Sequence, residues 1–183
     1  EKLTPDGEQV YFAVSKNGYD FTALNGGKPV ITCDKGEKGC RDIDIVRLKN
    51  NSFVIIATDL CIVNRMDENH NVNWADISSN GSKFISLWKS DDLVHFTTQK
   101  LIYFGRDDFG CIWAPEIFYD KEADDYIIHF SATTKADNFQ KMAIYYTKTK
   151  DFENFTYPEL FFEKECGVFD SHLVKIDGTY HLF

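Results

Sequence analysis

An internal repeat restricts the fold of this chain more than any other feature. Three segments, VYFAVSKNGYDFT (10–22), ISLWKSDDLVHFT (85–97) and AIYYTKTKDFENFT (143–156), share an apolar run, a polar turn and then Phe followed by Thr, the third carrying one extra residue. Each reads as a strand, a turn rich in Asp, Asn, Gly or Lys, and a second strand that restarts near Phe21, Phe96 or Phe155. A second unit recurs as RDIDIVRLKNNSFVIIATD (41–59), PEIFYDKEADDYIIHFSATT (115–134) and FDSHLVKIDGTYHLF (169–183). It too is two strands about a polar turn, at Lys49-Asn50-Asn51, Glu122-Ala123-Asp124-Asp125 and Asp177-Gly178.

One unit of each kind makes a module of about four strands. Such a module, repeated with turn signals and without a convincing helix, predicts an all-β protein of the β-propeller kind, in which each blade buries its faces against its neighbours. A sandwich also supplies many short strands, but two packed sheets need not reproduce the same pair of hairpins along the chain, whereas radial repetition must. The sixteen Phe and nine Tyr fall mostly in the strand-like runs and are read mainly as core.

Superposing the second units places three acids, Asp42, Glu116 and Asp170, on one position, each with an apolar residue three further on (Ile45, Tyr119, Leu173). Equivalent positions in a propeller are related by rotation about the central axis, so acids at the start of each inner strand converge on one mouth of the channel. Crowded carboxylates raise at least one pKa, which separates a protonated acid from an ionised base. Glycosidic hydrolysis needs that division of labour. Asp44, Asp59, Asp76, Asp107 and Asp108 fall outside the repeated position and are read as turn or solvated residues. Trp113 stands just before Ala114-Pro115-Glu116 and offers a flat apolar face to a sugar, with ordinary blade packing as the alternative. Arg41 is a candidate to orient Asp42 or bind substrate hydroxyls, and His172 to line the same pocket.

Charge and cysteine usage narrow the partners. A formal charge of −9 and a pI near 5.0 speak against nucleic acid, which is bound by clustered Lys and Arg, and suit a neutral ligand such as a sugar. No apolar run reaches the roughly 18 residues of a membrane helix, so no membrane partner is expected. The five cysteines form no CxxC pair and no ligand cluster with the five histidines, which disfavours structural zinc; Cys33 and Cys40 can at most bracket a short loop.

The segments YFAVSKNGYDFTALNGGKPVI, RDIDIVRL, WAPEIFYD, IYYTKTKDFENF and VFDSHLVKIDGTYHLF together resemble glycoside hydrolase family 43 and its relatives, five-bladed propellers acting largely on arabinose- and xylose-containing glycans. The resemblance runs over nearly the whole chain and implies an inverting α-L-arabinofuranosidase or β-xylosidase of plant-type polysaccharide. It makes Asp42 the general base, in a motif where Arg-Asp-Pro is usual and Ile43 here replaces the proline. It makes Asp170 the residue that tunes and orients the general acid, and Glu116 a pocket residue. The family's general acid, a Glu in a Glu-Gly-Pro segment one blade beyond the position of Asp170, has no match, and is expected after Phe183. Five blades at this spacing need about 300 residues, so residues 1–183 are expected to be about three blades, the N-terminal part of a single catalytic domain. No cofactor is required, although Ca²⁺ suits oxygen-rich propeller centres by analogy, with no ligand set apparent in the sequence. A secreted or periplasmic location is expected, with oligomeric state open. Two other readings compete: a catalytically silent glycan-binding propeller, and an invertase-like fructan hydrolase, for which Arg41-Asp42 and Glu165-Cys166 speak and the lack of an Asn-Asp-Pro segment near the start speaks against.

Overall fold

A computed structural model describes residues 4–183. It contains twelve strands: β1 (Ala13–Ser15), β2 (Phe21–Ala23), β3 (Cys40–Arg47), β4 (Phe53–Asp59), β5 (Phe84–Ser90), β6 (Lys100–Tyr103), β7 (Phe109–Asp120), β8 (Asp125–Thr134), β9 (Met142–Thr149), β10 (Glu159–Phe162), β11 (Leu173–Ile176) and β12 (Thr179–Leu182). They form two complete antiparallel four-stranded sheets, β3-β4-β5-β6 and β7-β8-β9-β10, flanked by the two-stranded sheets β1-β2 and β11-β12. By the repeat, β1-β2 correspond to the third and fourth strands of a blade and β11-β12 to the first and second. The molecule is thus two whole blades of a β-propeller with half a blade on either side.

The polar turns explain why the hairpins form where they do. After β1, β5 and β9 the same device recurs. A hydroxyl (Ser15, Ser90, Thr149) accepts the N–H three residues on, from Gly18, Leu93 and Phe152 at 2.8, 2.8 and 2.9 Å. Two residues after the hydroxyl, the side chain of Asn17, Asp92 or Asp151 accepts two further backbone N–H groups. Gly18, Leu93 and Phe152 all take a left-handed backbone, with φ of 79°, 60° and 57°. These turns match residue for residue, so the extra residue of the third segment belongs to the start of β9 and not to the turn. The returning strands begin later than expected in two of the three repeats, at Lys100 and Glu159, although Thr97 and Thr156 already donate to Lys89 and Lys148 at 2.9 and 3.0 Å. At the β11–β12 turn, Asp177 and Gly178 both have positive φ (48° and 80°), the pair of conformations a tight two-residue hairpin requires.

Packing follows the two-residue period of the strands. On β4, Val54 and Ile56 enter a core shared with Ile112, Ile128 and Phe130 of the next blade, while Ile55 and Ala57 enter a second core with Val10, Ile31 and Trp88. All four are fully buried, as a middle strand of a blade pressed on both faces must be. Cys33 and Cys40 lie in that second core as free thiols.

Two details depart from the sequence reading. A seven-residue helix, α1 (Trp74–Asn80), interrupts the β4–β5 connection, capped by the Asn73 side chain, which accepts from the Asp76 N–H at 3.1 Å. Asp59 is not a solvated residue: it is 3% exposed and holds the Glu37 N–H at 2.8 Å and the Ser82 hydroxyl at 2.6 Å. Among the described residues no helix is long and apolar enough to cross a membrane.

Candidate active site

The inner strands of successive blades start with the same distortion. In β3 the pairing to β4 slips between Arg41 and Asp44, and in β7 the pairing to β8 slips between Trp113 and Glu116. Each slip accommodates one extra residue, and the residue after Arg41 and after Trp113 is left-handed: Asp42 at φ 49° and Ala114 at φ 48°. Asp170, ahead of β11, has φ 55°. The bulge therefore equates Asp42, Ala114 and Asp170, which corrects the sequence superposition: Glu116 stands two residues beyond that position and corresponds to Asp44 and His172. The apolar residues that truly match are Ile45, Ile117 and Leu173. A superposition by chemical type aligned acid with acid, whereas the backbone aligns by the bulge.

Convergence survives the change of register. Asp42, Asp44, Glu116 and Asp170 line one cavity of about 180 Å³, together with Ile43, Ala114, Pro115 and Ser171. Hydroxyls on the second strand of each blade fix its rim. Thr58 donates to Asp42 Oδ2 at 2.8 Å while its Oγ1 accepts the Ala114 N–H at 2.8 Å. One blade on, Ser131 Oγ accepts the Asp170 N–H at 3.3 Å. Asp44 clamps the same seam, its Oδ2 accepting the Ile117 N–H at 2.7 Å. Asp44 was missed as a site residue because its neighbour carried the recognised motif.

The carboxylates are not equivalent. Burial lifts the Asp170 carboxyl above its ordinary value, and the charge of Asp42 adds to the rise. Burial also lifts Glu116, against which the hydrogen bond and charge of His172 work, while Asp44 and Asp170 reinforce the rise. His172 Nδ1 lies 2.7 Å from Glu116 Oε2, so this exposed histidine reaches the cluster through Glu116. His129 of β8 was not anticipated. It is 1% exposed, pairs across the sheet with Glu116, and carries Nδ1 2.9 Å from Ser171 Oγ.

Arg41 and Trp113, equivalent to each other, do not line the cavity. Arg41 bonds Glu8 Oε1 at 2.9 Å, and Glu8 also accepts the N–H groups of Ile62 and Val63, so the arginine ties the head of β3 to the segment before β1. Trp113 packs edge to face on Trp74 of α1, ring centroids 6.2 Å apart. Glu165 and Cys166 are exposed and also lie outside the cavity. Among the described residues no three His, Cys, Asp or Glu side chains are arranged to hold a metal ion.

Comparison with known proteins bears on the fold and the family. The chain is 27% identical to an α-L-arabinofuranosidase of Bifidobacterium longum subsp. longum across 97% of its own length, and spans 18% of that relative. Its fold superposes on a family-43 β-xylosidase/α-arabinofuranosidase from a compost microbial metagenome (TM-score 0.55, 16% identity, 85% of this chain and 44% of that one). It also superposes on the family-93 α-L-arabinofuranosidase of Fusarium graminearum (TM-score 0.57, 15% identity, 94% and 47%). At these identities the two structures speak for the fold, a five-bladed β-propeller of which this chain forms about three blades' worth of strands. Over residues 1–183 the chain matches the family described as "Probable glycosyl hydrolase domain", related to glycoside hydrolase family 43, and it belongs to that family.

Proposed function

We propose that the protein is a glycoside hydrolase that cleaves arabinose or xylose linkages by single displacement with inversion, α-L-arabinofuranoside being the first substrate to try. The observation that carries the reading is the convergence of Asp42 in β3 and Asp170 just ahead of β11, two blades apart, at one cavity where burial and then the charge of Asp42 raise the Asp170 pKa. Asp42 is the general base. Thr58 occupies its Oδ2, which leaves Oδ1 to take the proton from an attacking water. The proton donor stands across the sugar, about 6.5–9.5 Å from the base, the separation that leaves room for that water. Asp170 adjusts and orients that donor, and Glu116, held by His172, binds sugar hydroxyls at the rim. Trp113 and Trp74, paired edge to face outside the cavity, offer aromatic surface to a longer glycan chain. Because a polymeric glycan of this kind is met outside the cytoplasm, we propose a secreted or periplasmic location.

The test is hydrolysis by the whole protein of aryl α-L-arabinofuranoside, aryl β-xyloside and natural arabino- and xylo-oligosaccharides, with the anomer of the first product followed by proton NMR. Release of the inverted anomer from a pentoside is expected. Binding of the oligosaccharides without cleavage of any would replace the hydrolase with a glycan-binding propeller, and release of fructose from sucrose or fructan would put the invertase-like reading in its place.

A further inference from the structure

Successive blades present corresponding residues toward the blade that follows. On β4 these are Val54, Ile56 and Thr58, and on β8 they are Ile127, His129 and Ser131, as the bulge register equates them. Ile56 and His129 are both buried, at 0% and 1% exposure. By the same register Pro115 of β7 holds the place that Ser171 holds in the next blade. The apolar Ile56 of one blade thus gives way in the next to a histidine bonded to Ser171, in a place where that histidine must be desolvated.

The contacts of His129 show what it does there. Nδ1 is 2.9 Å from the Ser171 hydroxyl, which adjoins Asp170, and Nε2 is 3.7 Å from Glu116 Oε2, the oxygen that His172 also meets. Burial pushes the imidazole down to about 4, with the charge of His172 adding to the effect, so His129 is neutral at pH 7 and carries one ring proton. Facing a carboxylate oxygen, that proton belongs on Nε2, and Nδ1 then accepts from the serine. With Ser131 Oγ accepting the Asp170 N–H, the Asp170–Ser171 dipeptide is held from β8 at two points.

We propose that His129 is a positioning residue of the acid cluster: as the neutral Nε2–H tautomer it fixes Ser171, and with it Asp170, against the third blade while steering the Glu116 carboxylate. The claim deepens the hydrolase reading and rests on it for its catalytic consequence, but the tautomer and the contacts are measurable without turnover.

Three substitutions in the whole protein separate the contacts. His129→Asn keeps an acceptor near Ser171, His129→Gln keeps a donor near Glu116, and His129→Phe keeps neither. In the wild type, long-range proton–nitrogen NMR of the imidazole is expected to show a neutral Nε2–H ring from pH 5 to 8. Carbon-detected titration of Glu116 is expected to move to higher pH in His129→Asn and His129→Phe and to stay near the wild type in His129→Gln. In pentoside hydrolysis, His129→Phe and His129→Gln should lower kcat about ten- to a hundredfold with KM within about twofold, and His129→Asn should recover most of that loss. An Nδ1–H or charged ring at pH 7 overturns the proposal, as does a His129→Phe protein whose Glu116 titration is unchanged. If the wild type proves inactive on every glycoside the hydrolase reading fails alone, because the two NMR outcomes still decide the role of His129.

Discussion

The forward faces of β4 and β8 occupy the same place in successive blades and solve it differently. Toward the next blade, β4 offers Val54 and Ile56 and then a single hydroxyl, Thr58, which serves Asp42 and Ala114 together at 2.8 Å each. β8 offers Ile127, His129 and Ser131, so its seam is polar over two consecutive inward positions, with a longer backbone contact of 3.3 Å from Asp170. The forward face of β4 is apolar with one polar pivot; that of β8 gives up apolar packing for a hydrogen-bonded grip. The left-handed residue at the head of the following strand differs accordingly, Ala114 at the first and Asp170 at the second.

Four experiments would break or sharpen that contrast. Asp42→Asn should give the largest effect, a fall of about 10²–10⁴-fold in kcat on a pentoside, because the general base is lost while Thr58 retains an oxygen to bond. A turnover number within a factor of two of the wild type would remove Asp42 from the mechanism. Thr58→Val should cost about 1–3 kcal/mol in urea unfolding, since it leaves the Ala114 N–H buried without an acceptor at a 0%-exposed position. Ser131→Ala should cost less, about 0.5–1.5 kcal/mol, because its bond to Asp170 is longer. Equal costs for the two would show that the seams do not differ in the way described.

The smallest effect concerns pH. Asp170 titrates above its unfolded value through burial and the charge of Asp42, so the fold binds that proton more tightly than the unfolded chain does. Its contribution to stability is fully present below the unfolded pKa of about 3.9 and is lost as pH rises through the raised folded value. Asp170→Asn should therefore melt at a higher temperature than the wild type at pH 7, by a margin that shrinks toward pH 3. The margin is small because much of the side chain is solvated. A wild type that melts higher than the variant at pH 7 would reverse the assignment.

Much of this fold was legible in the sequence, and for a definite reason. A blade repeats its turns as well as its strands, and the Ser15, Ser90 and Thr149 turns preserve spacing because each oxygen must reach one particular N–H. The acids at Asp42 and Asp170 were visible for the same reason. Glu116 was displaced by two positions because a bulge leaves no mark in residue type when the left-handed residue is alanine. His129 was hidden because its meaning depends on a serine in another blade, a relation that neither periodicity nor a local motif expresses. Helix α1 escaped notice because seven residues are too few for an amphipathic period, and only the Asn73 cap announced it.

The left-handed backbone at Asp42 and Asp170 also governs how this family can drift. After glycine, asparagine and aspartate take that conformation most readily, and asparagine is the one closest to aspartate in shape. On the proposed mechanism, the shortest mutational path away from turnover therefore keeps the architecture intact and leaves a site that only holds sugar. A descendant that had lost its chemistry would still fold, still cradle a saccharide, and be recognisable by amide nitrogens standing where oxygens once did.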